Sequence, residues 1–170
     1  MKIYRSAREL LTEIKRVLAA NKPSFHHSPL EDVIELLCRG RHYTWMGIYL
    51  AVDKNTPQQL LEAGRDQQPG QVALPETQSK ILVSMKLATR ELGVLAVESD
   101  RENAFGSEDR VLLEQVADVL ARFLAGPGKY LARKAREAAS DAPQAEPKPQ
   151  ARGPQSASVV AVRSAAVGEK

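Results

Sequence analysis

The chain has 170 residues, 43% of them hydrophobic, with 24 Lys and Arg against 21 Asp and Glu and a single cysteine. This suits one domain of ordinary size around one core and leaves no room for a second large one. Cys38 alone forms no internal disulfide, and the start of the chain runs into a charged amphipathic segment with no long apolar stretch, so we expect a cytoplasmic protein without a membrane span.

The net charge of +3 is unevenly spread. From residue 129 onward eight Lys or Arg stand against four Asp or Glu, while the first 128 residues carry sixteen and seventeen. The basicity therefore belongs to the tail, which reads as a solubilising extension. Any nucleic-acid contact would run through that tail, and only Tyr130 is available there for stacking, so nucleic acid is not an expected partner.

Ser6-Ala7-Arg8-Glu9 is a capping box, and Leu10, Leu11, Ile14, Val17 and Leu18 then recur at helical spacing until Asn21-Lys22-Pro23. Ser28-Pro29-Leu30-Glu31 repeats the box for a second helix, with Leu30, Val33, Ile34 and Leu37 as its buried stripe before Gly40. Residues 43–52 predict a strand with Trp45, Tyr49 and Ala51 on one face and Met46, Ile48, Leu50 and Val52 on the other; residues 58–64 would return as its hairpin partner. Apolar side chains on both faces imply a strand covered on both.

Residues 81–88 and 92–98 predict a second hairpin, turning at Thr89-Arg90-Glu91. A last long helix follows, with Ser107 as its cap and Glu108 and Asp109 complementing its dipole. It carries two adjacent apolar rows, Leu112, Val116, Val119, Phe123 and Leu113, Ala117, Leu120, Leu124. One row suffices against a sheet; the second fits either the chain's own first helix or a second subunit, which makes Leu113, Leu120, Phe123 and Leu124 candidate dimer contacts. Gly126-Pro127-Gly128 ends this helix, Gly126 serving as a left-handed cap. We divide the chain into a domain over 1–126, a short basic helical extension over 127–139 and a disordered, Pro-rich tail over 140–170, whose stretch 158–162 is mildly apolar.

The run from the second hairpin through Gly93-Val94-Leu95-Ala96-Val97, the acidic step Glu98 to Asp100, and Phe105-Gly106-Ser107-Glu108-Asp109 into a helix resembles the carboxy-terminal half of a GAF domain, a small sensory module. The resemblance implies an α+β fold, with an antiparallel sheet of four or five strands and the N- and C-terminal helices packed on one face. It also implies a ligand pocket roofed by several dozen residues between the two hairpins. Here only residues 66–79 connect them, with Pro69-Gly70 and Pro75, so we expect the roof to be missing.

Trp45-Met46-Gly47-Ile48-Tyr49-Leu50 and Gly93-Val94-Leu95-Ala96-Val97-Glu98-Ser99 are also similar to strands of free methionine-(R)-sulfoxide reductases, the catalytic branch of that group. That likeness implies two aspartates on the last strand and redox cysteines near the roof; this chain has Ala96 and Glu98 at the aspartate positions and Cys38 on an earlier helix. A nucleophilic thiol and a resolving thiol are thus not assignable. His26, His27, His42 and Cys38 match no paired metal-ligand spacing, so no metal or other cofactor is expected.

The expected function is a non-catalytic regulatory or protein-interaction module in bacterial-type signalling, a homodimer that engages a protein partner through its surface. Trp45, Tyr49, Glu98 and Asp100 are its candidate ligand-binding residues. The alternatives are a small-molecule sensor with an open groove beneath Trp45 and Tyr49, and a reduced sulfoxide reductase.

Overall fold

A computed structural model describes residues 4–21, 27–41, 43–51, 59–63 and 77–141. Its elements run α1 (Ala7–Ala19), α2 (Pro29–Arg41), β1 (Trp45–Leu50), β2 (Gln59–Ala63), β3 (Ser79–Leu87), β4 (Arg90–Ser99), α3 (Ser107–Ala125) and α4 (Lys129–Asp141). Residues 66–76 of the expected connection and the tail beyond 141 lie outside the described residues.

The four strands form one antiparallel sheet in the order β2-β1-β4-β3. Helices α2 and α3 pack on it, α2 against β1 and β2 and α3 against β3 and β4, while α1 packs on both helices. Pairing opposes Met46 to Val97 and Ile48 to Leu95 across β1 and β4, and Ile81 to Val97 across β3 and β4. Because side chains alternate along a strand, these residues share one face, and they join Leu10, Ile14, Leu37, Leu112, Leu113 and Val116 in a continuous core. The α+β architecture with an antiparallel sheet and helices is therefore the one expected.

Local chemistry explains where the helices start. Ser6 Oγ accepts from the Glu9 amide, and Glu9 returns a carboxylate oxygen to the Ser6 amide at 3.1 Å, the reciprocal box read from the sequence. The box expected at α2 is only half made. Ser28 Oγ accepts from the Leu30 amide at 3.3 Å, while Glu31 turns outward to the His27 ring. At α3 the cap is Gly106, one residue earlier than expected, and Asp109 reaches back to accept from the Gly106 amide at 2.9 Å. Ser107 is the first helical residue instead.

Two further expectations are corrected. Helix α2 does not stop before Gly40 but runs through it to Arg41, and a Cβ at Gly40 would lie 2.6 Å from a methyl of Leu10, so the glycine lets α1 approach α2 closely. Gly126 closes α3 at φ −112° and ψ −111°, not in the left-handed form; its amide donates to Arg122 and Phe123 carbonyls and its carbonyl accepts from Lys129, so the chain folds directly into α4. That last helix packs on α3 and β2 and buries Leu131 and Ala135 in the core.

Candidate functional site

The face of the sheet opposite the helices carries the candidate site. Alternation puts Trp45, Gly47 and Tyr49 of β1 there, with Val94, Ala96 and Glu98 of β4 and Lys80, Leu82 and Ser84 of β3. Trp45 and Ala96 are buried yet stand outside the helix-side core cluster. Along its first row, Lys80, Glu98 and Trp45 are direct cross-strand neighbours. The face is closed at Trp45 and Glu98, both 0% exposed, and open at Leu82, 57% exposed.

Glu98 is the chemical centre of this row. A carboxylate out of water must be paired and hydrogen-bonded or lose its charge. Thr77 Oγ1 donates to Glu98 Oε2 at 2.6 Å, and Lys80 Nζ lies 2.7 Å from Oε1. Tyr49 lies four residues further along β1 than Trp45, the two rings 6.4 Å apart and tilted by 55°. Burial, and then the negative charge of Glu98, push the Tyr49 phenol above its ordinary value. The Trp45 indole N–H is buried and meets no acceptor.

Three of the four candidate ligand-binding residues, Trp45, Tyr49 and Glu98, are thus brought together on one face. Asp100 is not. It follows the end of β4, is exposed, and accepts from Thr44 Oγ1 at 3.2 Å, so the acidic pair is split between a buried face and a surface turn. Thr77 and Lys80 also meet Glu98 and were not foreseen from the sequence.

A second buried polar cluster lies at the start of α3. Tyr43, 3% exposed, donates from its hydroxyl to Asp109 Oδ1 at 2.9 Å and meets Phe105 edge-on at 5.7 Å. Arg41 reaches Asp109 at 3.5 Å and Glu108 at 3.1 Å, while Tyr4 stacks on its guanidinium at 4.3 Å. These ion pairs lack the alignment of hydrogen bonds. Burial, and then the Asp109 charge, hold the Tyr43 phenol far above its ordinary value, so it remains a donor. The cluster ties the ends of α2 and α3 to the start of β1, which is a structural role. A groove of about 1130 Å³ between the β3–β4 turn and α4, bordered by Arg90, Leu92, Leu124, Lys129 and Ala132, lies on the helix side, away from the Glu98 row.

The four candidate dimer contacts are all buried within the chain: Leu113 and Leu120 at 0% exposure, Phe123 at 6% and Leu124 at 4%. Helix α3 itself packs against β3, β4, α1 and α4. Cys38, 8% exposed, belongs to the helix-side core, across the sheet from Glu98. Among the described residues no three His, Cys, Asp or Glu side chains gather as a metal site requires, and no helix is long and apolar enough to cross a membrane. His26 and His42 lie outside the described residues.

An antiparallel sheet with helices packed on one face is a layered α+β architecture. Within that class the fold is GAF-like. The free methionine-R-sulfoxide reductase of Neisseria meningitidis, solved in complex with its substrate, matches at a TM-score of 0.60 and 18% identity over 79% of this chain and 99% of its own. The GAF domain of the Acinetobacter phosphoenolpyruvate-protein phosphotransferase matches at 0.61 and 15% identity, over 73% and 96%. The Staphylococcus aureus reductase in complex with substrate matches at 0.54 and 16%, over 73% and 99%. No family model and no curated protein sequence matches the chain.

Proposed function

We propose that this chain is a non-catalytic regulatory or protein-interaction module of GAF-like fold, a cytoplasmic homodimer working through its surface in bacterial-type signalling. The observation that carries the reading is the placement of the one thiol. Cys38 packs in the helix-side core, whereas the side chains able to meet a ligand, Trp45, Tyr49 and Glu98, occupy the opposite face of the sheet. Sulfoxide reduction needs a thiolate at the sulfoxide and a second thiol to resolve the product of attack. With 1 Cys in the chain, neither role has a residue on that face.

A sensor reading has one observation in its favour: the buried Trp45 indole N–H lacks an acceptor, as a donor reserved for a bound molecule would. The reductase reading is tested directly. Purified protein given free methionine sulfoxide and a thiol reductant is expected to show no turnover. Turnover that disappears in Cys38→Ser would overturn the non-catalytic reading. Co-purification followed by mass spectrometry tests the interaction reading, and recovery of the chain without any partner would count against it.

A further inference from the structure

We propose that the groove between the β3–β4 turn and α4 docks a short acidic segment of a partner protein, one in which apolar residues alternate with carboxylates. The proposal rests on the protein-interaction reading and deepens it by naming the surface and the chemistry of the partner.

The walls of the groove are basic. Arg90 lines it from the start of β4, and Lys129 and Arg136 line it from α4; all three are exposed. Glu91 is the acidic residue that stands against them among the described lining. Arg136 is already engaged within the chain, but no carboxylate among the described residues pairs with Arg90 or Lys129. Helix α4 also begins without an acidic residue in its first turn, so its dipole adds positive potential beside Lys129.

The floor is apolar. Leu50 and Leu124 are buried beneath it, and Leu92 and Ala132 are half-buried. One wall carries an exposed leucine as well. Gly93, Leu95 and Val97 share the helix face of β4, so strict alternation would send Arg90 to the outer face. The break in register between Met85 and Lys86 instead sets Arg90 opposite Leu87, which follows Ile81 and Met85 on the helix face and is 42% exposed. The bulge thus brings an unpaired cation and an exposed apolar side chain to the same wall.

Size decides between a small molecule and a peptide. About 1130 Å³ exceeds the roughly 300–1,000 Å³ of small-molecule sites. Lys129 and Arg136 are about 10 Å apart along the helix, a span that a few extended residues cross. In an extended peptide successive side chains point to opposite sides, so leucines can face the floor while carboxylates meet the cations of the rim.

The test is fluorescence anisotropy of a labelled peptide alternating glutamate and leucine, titrated with the full chain. One control peptide has glutamine in place of glutamate, the other serine in place of leucine. The wild type is expected to bind the first peptide saturably, more weakly as sodium chloride rises, and each control at least about tenfold more weakly. Arg90→Glu/Lys129→Glu should melt as the wild type does, since both side chains are exposed, and should lose at least about tenfold in affinity. Equal binding by this double variant, which keeps the basic tail, overturns the proposal, as does equal binding of the glutamine peptide. If the double variant fails to fold, Arg90→Gln and Lys129→Gln take its place singly, and unchanged affinity in both overturns the proposal. Vesicles of anionic phospholipid that bind the wild type but not the double variant, with no binding of the peptide, would assign the groove to a membrane surface and overturn it too. A partner co-purified equally by the wild type and the double variant would refute the groove and leave the interaction reading standing, so the two failures are distinguishable.

Discussion

At Gly93 the backbones of β1 and β4 leave no space for a side chain. A Cβ there would sit 2.0 Å from the Tyr49 carbonyl oxygen and 2.8 Å from the Met85 methyl. The first of these is backbone and cannot rotate away, so Gly93→Ala must part the two central strands. We expect a loss at the upper end of the roughly 1–3 kcal/mol typical of overpacking, seen as a lower urea midpoint, with Val94→Ala as a milder control. His27 gives a pH-dependent counterpart on the surface. Its Nε2 lies 2.9 Å from Asp32 and its Nδ1 3.3 Å from Glu31. The hydrogen bond to Asp32 and that residue's charge raise its pKa above the ordinary 6.5. A raised folded value means that the pairing contributes fully below the unfolded value and is lost as pH climbs through the folded one. Asp32→Asn should bring the His27 midpoint down toward 6.5 in an NMR titration; an unchanged midpoint would refute the pairing.

Among the elements, the helices were legible because their signals are local. Ser6 and Glu9 sit three apart, and the apolar stripes of α1, α2 and α3 repeat within each segment. The second hairpin was legible as two strands but not in register. A turn over 89–91 would pair Ala88 with Leu92 and so place Leu82 opposite Glu98. The observed turn is Ala88-Thr89, with Ala88 at φ 52°, and a bulge between Met85 and Lys86 shifts the pairing so that Lys80 faces Glu98. A two-residue slip keeps every side chain on its face, so it changes the cross-strand partner of Glu98 without moving Glu98 to the other face. Ala88 is in the position that such a turn gives to glycine, and no composition signal marks it. The Arg41–Tyr43–Asp109 cluster was invisible for another reason: Tyr43 and Asp109 are 66 residues apart. Helix α4 was read as an extension of the domain, yet it buries Leu131 and Ala135, and Tyr130 donates to Asn21 Oδ1 at 3.0 Å. Ending the chain at Gly128 should therefore cost stability, about 1.5–3 kcal/mol for the leucine alone, whereas ending it after Asp141 should leave the melting temperature unchanged. Equal melting of the two would mean that α4 adds nothing to the core.

For the whole molecule, the double apolar face of α3 decides how assembly must be sought. Leu120 is 0% exposed inside one chain, in the layer where α3 meets α1 and the sheet. A surface consumed by its own fold cannot also be the recognition surface of a dimer unless the chain opens. Among the described residues the exposed large apolar groups are Leu82 at 57% exposure and Leu87 at 42% on β3, Val111 at 52% on α3, and Tyr4 at 56%. Leu120→Glu places a carboxylate in the core with no partner, at a cost of several kcal/mol against a total stability of about 5–15 kcal/mol for a domain of this kind. Its expected result is unfolding, or a melting temperature far below the wild type. Leu82→Glu, on the open end of the outer face, should leave melting almost unchanged, and any dimer seen by light scattering should weaken if β3 takes part. A folded, monomeric Leu120→Glu chain from a dimeric wild type would show instead that α3 is the subunit interface and that its packing against α1 is dispensable.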